Sequence, residues 1–156
     1  MLMKNQASNF PKKFIAFDLS GSGTTAWFDG KAFGSYFSKN WEDHISYIQG
    51  IMKKHPGWCI LYERLTKIRR NNKTSKDLVD ISKVIGVIEY KYKYKYTTLS
   101  FMTKDFRSKI MTGKKKFPLV TYQRGFYWND QKLSDHEIDA VIIFYYGRAK
   151  VTGEWI

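Results

Sequence analysis

The sequence predicts an α/β fold on a mixed five-stranded sheet, three antiparallel strands followed by two parallel ones, flanked by helices. Three observations predict it. Two runs rich in aromatic and β-branched residues, Thr24 to Phe28 and Ala32 to Phe37, flank Asp29-Gly30, a strong hairpin signal. A helical repeat from Trp41 to Lys54 separates the apolar runs Phe14 to Asp18 and Trp58 to Tyr62, and strands joined by a crossover helix pair in parallel. The chain closes on a helix with a sharply marked start at Ser134.

Taken in order, Phe14-Ile-Ala-Phe-Asp18 is a buried strand ending in an acid, and Ser20-Gly-Ser-Gly23 is a tight turn into the hairpin. In the first helix Trp41, Ile45, Ile48 and Met52 share one face, Asn40 stands at the cap and Pro56-Gly57 is the stop. Trp58-Cys-Ile-Leu-Tyr62 is a continuous apolar strand running into Glu63. Lys67 to Lys76 is a basic loop, and Ser75 caps a helix from Lys76 to about Tyr90. Its broad face of Leu78, Val79, Ile81, Val84, Ile85 and Ile88 suits sheet packing, a dimer seam, or both.

Tyr90 to Tyr96 alternates Tyr and Lys and reads either as a helix end or as a strand. Thr97 to Met102 is the fifth strand, Thr103 to Met111 a short helix ended by Gly113, and Lys114 to Asp130 a basic, aromatic loop. In the last helix Ser134 and Glu137 form a capping box, and Leu133 and Ile138 a hydrophobic staple. This helix runs through Val141 to Tyr145 and ends near Gly147. Nothing repeats and no linker divides the chain, so residues 1–156 read as one domain.

Lys and Arg total 27 against 14 Asp and Glu, a formal net charge of +13. Such a surplus suits a polyanion, because each neutralised phosphate releases condensed counterions. Nucleic acid is the expected partner. Cys59, the single cysteine, reads as a buried strand residue, so a disulfide framework is excluded and a reducing cytoplasm is expected. No apolar run is long enough for a membrane span, and Met1 to Pro11 lacks a signal core. No nucleophile elbow, phosphate loop or zinc spacing is present, which argues against acyl-transfer and redox chemistry and against a small-molecule cofactor.

Acids are scarce, so their positions carry information. Asp18 and Glu63 end the two strands expected to run in parallel, and such strand ends open into one crevice. Asp135 and Asp139, four apart, share a face of the last helix, and His136 lies beside it. Glu137 is committed to the capping box. Clustered carboxylates suit Mg²⁺ or its substitute Mn²⁺, hard ions that take oxygen ligands. Two such ions roughly 3.5–4 Å apart serve phosphodiester hydrolysis. The expected catalytic and metal-binding acids are therefore Asp18, Glu63, Asp135 and Asp139, while the position of His136 alone leaves its role open.

The order Phe14-Ile-Ala-Phe-Asp-Leu-Ser-Gly-Ser-Gly-Thr-Thr25, Ile60-Leu-Tyr-Glu-Arg64, Phe106-Arg-Ser-Lys-Ile-Met-Thr-Gly113 and Ser134-Asp-His-Glu-Ile-Asp-Ala140 resembles the RuvC-type Holliday-junction resolvases, in particular their phage-type members. The resemblance covers almost the whole chain. It implies an RNase-H-like fold, a homodimer, and symmetric metal-dependent nicking of four-way DNA junctions in a bacterial cytoplasm. The family's first-strand Asp falls on Asp18, its fourth-strand Glu on Glu63 and its final Asp-Ala on Asp139-Ala140. Its remaining ligand falls on His136, which Asp135 could replace or supplement. Thr66 stands where the family often carries a wedge aromatic, so recognition by junction shape rather than base sequence is expected.

Lys67, Arg69, Arg70, Lys73 and Lys76 follow Glu63, and Lys114, Lys115, Lys116 and Arg124 precede the last helix. Both groups are expected to grip phosphates. Tyr92, Tyr94, Phe126, Tyr127 and Trp128 read equally as base-stacking or as core residues. Two other functions fit the same features: a nuclease cutting RNA in hybrids, and a non-catalytic nucleic-acid-binding module.

Overall fold

The computed structural model describes residues 13–63, 76–98 and 102–153. β1 (Phe14–Asp18), β2 (Thr24–Phe28) and β3 (Phe33–Phe37) form an antiparallel meander. Gly30 turns the hairpin at φ +90°, and the Asp29 carboxylate accepts from the Lys31 and Ala32 amides at 2.8 and 2.7 Å. α1 (Trp41–Lys53) then crosses over to β4 (Cys59–Glu63), parallel to β1. Asn40 is the cap residue by position, yet its side chain makes no capping hydrogen bond.

α2 (Lys76–Lys91) leads into β5 (Lys95–Thr98), which pairs in parallel with β4. The Tyr and Lys alternation therefore divides between a helix end and a strand start. The mixed sheet runs in the order β3-β2-β1-β4-β5. α3 (Met102–Met111) follows, ending before Gly113 at φ +75°.

The single RNase-H-like sheet expected from the sequence does not describe the chain. Where a loop was expected, β6 (Val120–Tyr122), β7 (Phe126–Trp128) and β8 (Gln131–Lys132) form a separate three-stranded antiparallel sheet. Asn129 and Asp130, at φ +47° and +62°, make the two-residue turn between β7 and β8, with positive φ at both positions as a twisted hairpin favours. Alternation along β7 buries Phe126 and Trp128, and the Trp128 ring meets Phe28 edge-on at 5.1 Å. Burial decides the earlier alternative for these two residues in favour of the core.

α4 (Asp135–Thr152) is also longer than expected. Gly147 lies buried within it, and the left-handed C-cap is Gly153 at φ +73°. The capping box at its start is formed: Ser134 Oγ accepts from the Glu137 amide at 3.2 Å, and Glu137 Oε1 from the Ser134 amide at 2.9 Å.

The mixed sheet is covered on both faces. Ile15, Phe17, Ile60 and Tyr62 pack with Ile48 and Met52 of α1 and Val84 and Ile88 of α2. Phe14, Ala16, Cys59 and Leu61 pack against Ile138, Val141 and Ile142 of α4, with Phe106 and Ile110 of α3 beyond. The broad face of α2 is thus used mainly in sheet packing, while Val79 stays exposed. Cys59 is fully buried, which pushes its thiol up to about 12. Among the described residues, no helix is long and apolar enough to cross a membrane.

Candidate active site

Strand alternation sets the direction of the two strand-end acids. In β1, Phe14 and Ala16 face α4 while Ile15 and Phe17 face the other core, so Asp18 continues on the α4 side. In β4, Cys59 and Leu61 face α4, and Glu63 continues that side. The parallel register aligns Phe17 with Tyr62, so Asp18 and Glu63 stand side by side one residue further on. α4 lies over this edge and supplies His136 and Asp139 from its first two turns. Three separate segments of chain therefore bring acids to one place.

Each acid has a side-chain partner, a basic one for Asp18 and Asp139 and a hydroxyl for Glu63. Asp18 Oδ2 lies 3.0 Å from His136 Nδ1. Arg107, from α3, places Nε 3.0 Å from Asp139 Oδ1, an ion pair without hydrogen-bond alignment. The buried Thr103, one helical turn before Arg107, donates to Glu63 Oε2 at 3.4 Å. Asp135 is exposed at the rim, while its neighbour His136 reaches Asp18 directly.

Burial pushes Asp139 up to about 7; the nearby Asp18 and Glu63 charges add to the rise, and Arg107 and His136 oppose it. Burial also raises Asp18, against the hydrogen bond and charge of His136 and the charge of Arg107. His136 is raised chiefly by its hydrogen bond to Asp18, with the charges of Asp18, Asp139 and Asp135 adding to it against burial. Mutual influence of this kind requires the groups to be close, and raised carboxylates in a cleft mark functional-site candidates.

Asp18, Glu63, Asp139 and His136 are brought together as the sequence predicts, and Asp135 stands at the edge. Among the described residues, no group of three or more His, Cys, Asp or Glu side chains is arranged to hold a metal ion. The donor set nevertheless suits a hard divalent cation: three carboxylates, one with a buried oxygen that lacks a hydrogen bond. Ligation would require Asp18 and Asp139 to exchange their present cationic partners for the ion.

Of the expected phosphate-gripping residues, Lys67, Arg69, Arg70 and Lys73 lie outside the described residues, as does Thr66. Lys76, Lys114, Lys116 and Arg124 are exposed. Lys115 instead lies over the Phe106 and Phe117 rings, at 6.0 and 5.7 Å. The sequence reading missed Arg107 and Thr103. Both follow from the burial of Phe106 and Ile110, which turns that side of α3 toward α4. No protein-family model matches the chain, and no curated protein matches it.

Proposed function

We propose that the chain is a divalent-metal-dependent endonuclease that nicks branched DNA, four-way junctions above all, by hydrolysing a phosphodiester bond. One observation carries the reading: Asp18 and Glu63, side by side at the ends of β1 and β4, lie near enough to Asp139 of α4 for their charges to act on it, in a protein whose net charge is +13. A module that only binds a polyanion gains nothing from buried carboxylates at the place where phosphates would approach, since like charges repel there. The resemblance of the four sequence segments to RuvC-type resolvases points the same way.

Asp18, Glu63 and Asp139 would hold Mg²⁺ or Mn²⁺, with His136 and Asp135 as further ligands. Two such ions, when bound, would activate water and stabilise the departing oxygen. Arg107, paired with Asp139 in the absence of the ions, would be released when Asp139 takes one up and could then meet a phosphate with its guanidinium. Thr103 orients Glu63 through its hydroxyl. The basic segments on either side would supply sequence-independent affinity, so that junction shape directs cutting. The reading includes a homodimer, which matches a symmetric substrate by making two equivalent cuts.

Labelled four-way, three-way, duplex and hybrid substrates, incubated with and without Mg²⁺, test it. Paired nicks in the four-way junction, only with metal, are expected. Asp18→Asn, Glu63→Gln and Asp139→Asn should each abolish cutting and leave junction binding intact. Cutting confined to hybrids would make the protein a different nuclease. Binding without cutting of any substrate would make it a binding module.

A further inference from the structure

A cleft of about 660 Å³ opens beside the acids, between α3, the second sheet and the first turn of α4. Lys104, Arg107, Arg124 and Lys132 line it, against the single acid Asp135. These cations come from α3, the β6–β7 turn and β8, so folding collects them from distant parts of the sequence. Lys104, Arg124 and Lys132 take part in no ion pair among the described residues. Elsewhere Lys109 is paired with Asp105, and Lys83 lies 3.8 Å from Asp80. The cleft thus concentrates uncompensated positive charge.

Its wall also carries Tyr122, 39% exposed, whose ring rests 5.0 Å from that of the buried Phe126. An exposed ring fixed by a core ring is prepared for stacking. Arg107 lines the cleft and pairs with Asp139, so one side chain joins it to the site.

We propose that this cleft holds a single nucleic-acid strand beside the acids, its cations meeting successive phosphates and Tyr122 stacking on a base. Cationic grooves combined with aromatic platforms bind single strands in this way. The volume falls within the roughly 300–1,000 Å³ of ordinary ligand pockets, room for a short stretch of one strand. Spacing the cations over three elements suits a run of phosphates better than one isolated phosphate. The proposal rests on the nuclease reading in one respect: the strand is the one whose backbone is cut.

The test is fluorescence anisotropy with labelled oligothymidylate of about 12 nucleotides, inside the roughly 4–16 nucleotide range of single-strand sites. Measurement in EDTA separates binding from cleavage. The double variant Lys104→Ala, Lys132→Ala should bind about tenfold more weakly. Its slope of log K against log salt should fall by about 1.4, at roughly 0.7 per lost single-strand phosphate contact. Tyr122→Ala should lose about tenfold, for a stacked base contributes roughly 1–3 kcal/mol, and Tyr122→Phe should keep wild-type affinity.

Affinity for a blunt duplex should stay within about twofold of wild type in all variants, because phosphate contacts made outside the cleft supply it. Wild-type oligothymidylate affinity in the lysine variant would overturn the proposal, and so would an equal loss on duplex. Competition by thymidine monophosphate at matched nucleotide concentration would overturn it too, assigning the cleft to a free nucleotide. Both lysines are exposed, so the charge variant decides the matter even if Tyr122→Ala fails to fold. Failure of the nuclease reading looks different: wild-type protein binds the oligonucleotide normally and cuts no substrate with Mg²⁺.

Discussion

At Asp139, burial and two neighbouring carboxylates work against ionisation, and the folded group titrates at about 7 instead of the usual 3.8. A carboxyl with a raised folded value contributes stability that is complete below about pH 4 and is lost as pH rises through about 7. Asp18 and His136 are raised as well, so their contributions fade in the same direction. The protein should therefore melt lower at pH 8 than at pH 5. Asp139→Asn should remove part of that slope and stabilise the fold at pH 8 by on the order of 2 kcal/mol, while cleavage disappears. Calorimetric melts of both proteins across this range check it; a slope unchanged by the substitution would place the titration elsewhere. Asp18, Glu63 and Asp139 were legible because each extends a visible strand or helix pattern into a rare residue type. Arg107 was not, because one basic residue among 27 has no contrast until the helix carrying it is packed.

At the scale of the element, the turn after Asp18 is held by α2. Asp77 Oδ1 accepts from the Ser22 amide at 3.2 Å and from the Ser22 and Ser20 hydroxyls at 3.0 and 3.3 Å. A Cβ on Gly21 would stand 2.4 Å from the backbone of Asp80 and Ile81. Gly21→Ala should therefore push α2 from the sheet, costing about 1–3 kcal/mol as overpacking does, and slow cleavage by disturbing Asp18. Denaturant melts and junction-cutting rates measure both; a variant as stable as wild type would mean that α2 shifts freely. The sequence displayed this turn as Ser-Gly-Ser-Gly, but a glycine needed for close approach to a distant helix looks the same as one needed for a bend. The second sheet was hidden for another reason. Its strands are two or three residues long, too short for alternation to rise above the surrounding polar residues. In α4 the stop was misplaced because Gly147 resembles a cap, while packing of the turns around Ala149 carries the helix on to Gly153.

For the whole molecule, the mixed sheet and its two helical layers leave Val79 and Tyr90 of α2 exposed, 42% and 89%. Under the proposed pairing, sedimentation should give about twice 18.4 kDa at micromolar concentration. A monomer that still makes paired nicks would remove the dimer from the reading. α4 touches every strand of the mixed sheet as well as α3 and β7, and it also carries His136 and Asp139. A helix joined to so much of the molecule has no local route to opening. The amide hydrogens of Ile142 to Tyr145 should then exchange with deuterated solvent only through complete unfolding, and rank among the slowest in the chain. Asp139, in the second turn of this helix, is then expected to leave its place only when the fold does. Thermal inactivation and loss of structure should accordingly follow one curve, with no folded but inactive form between them.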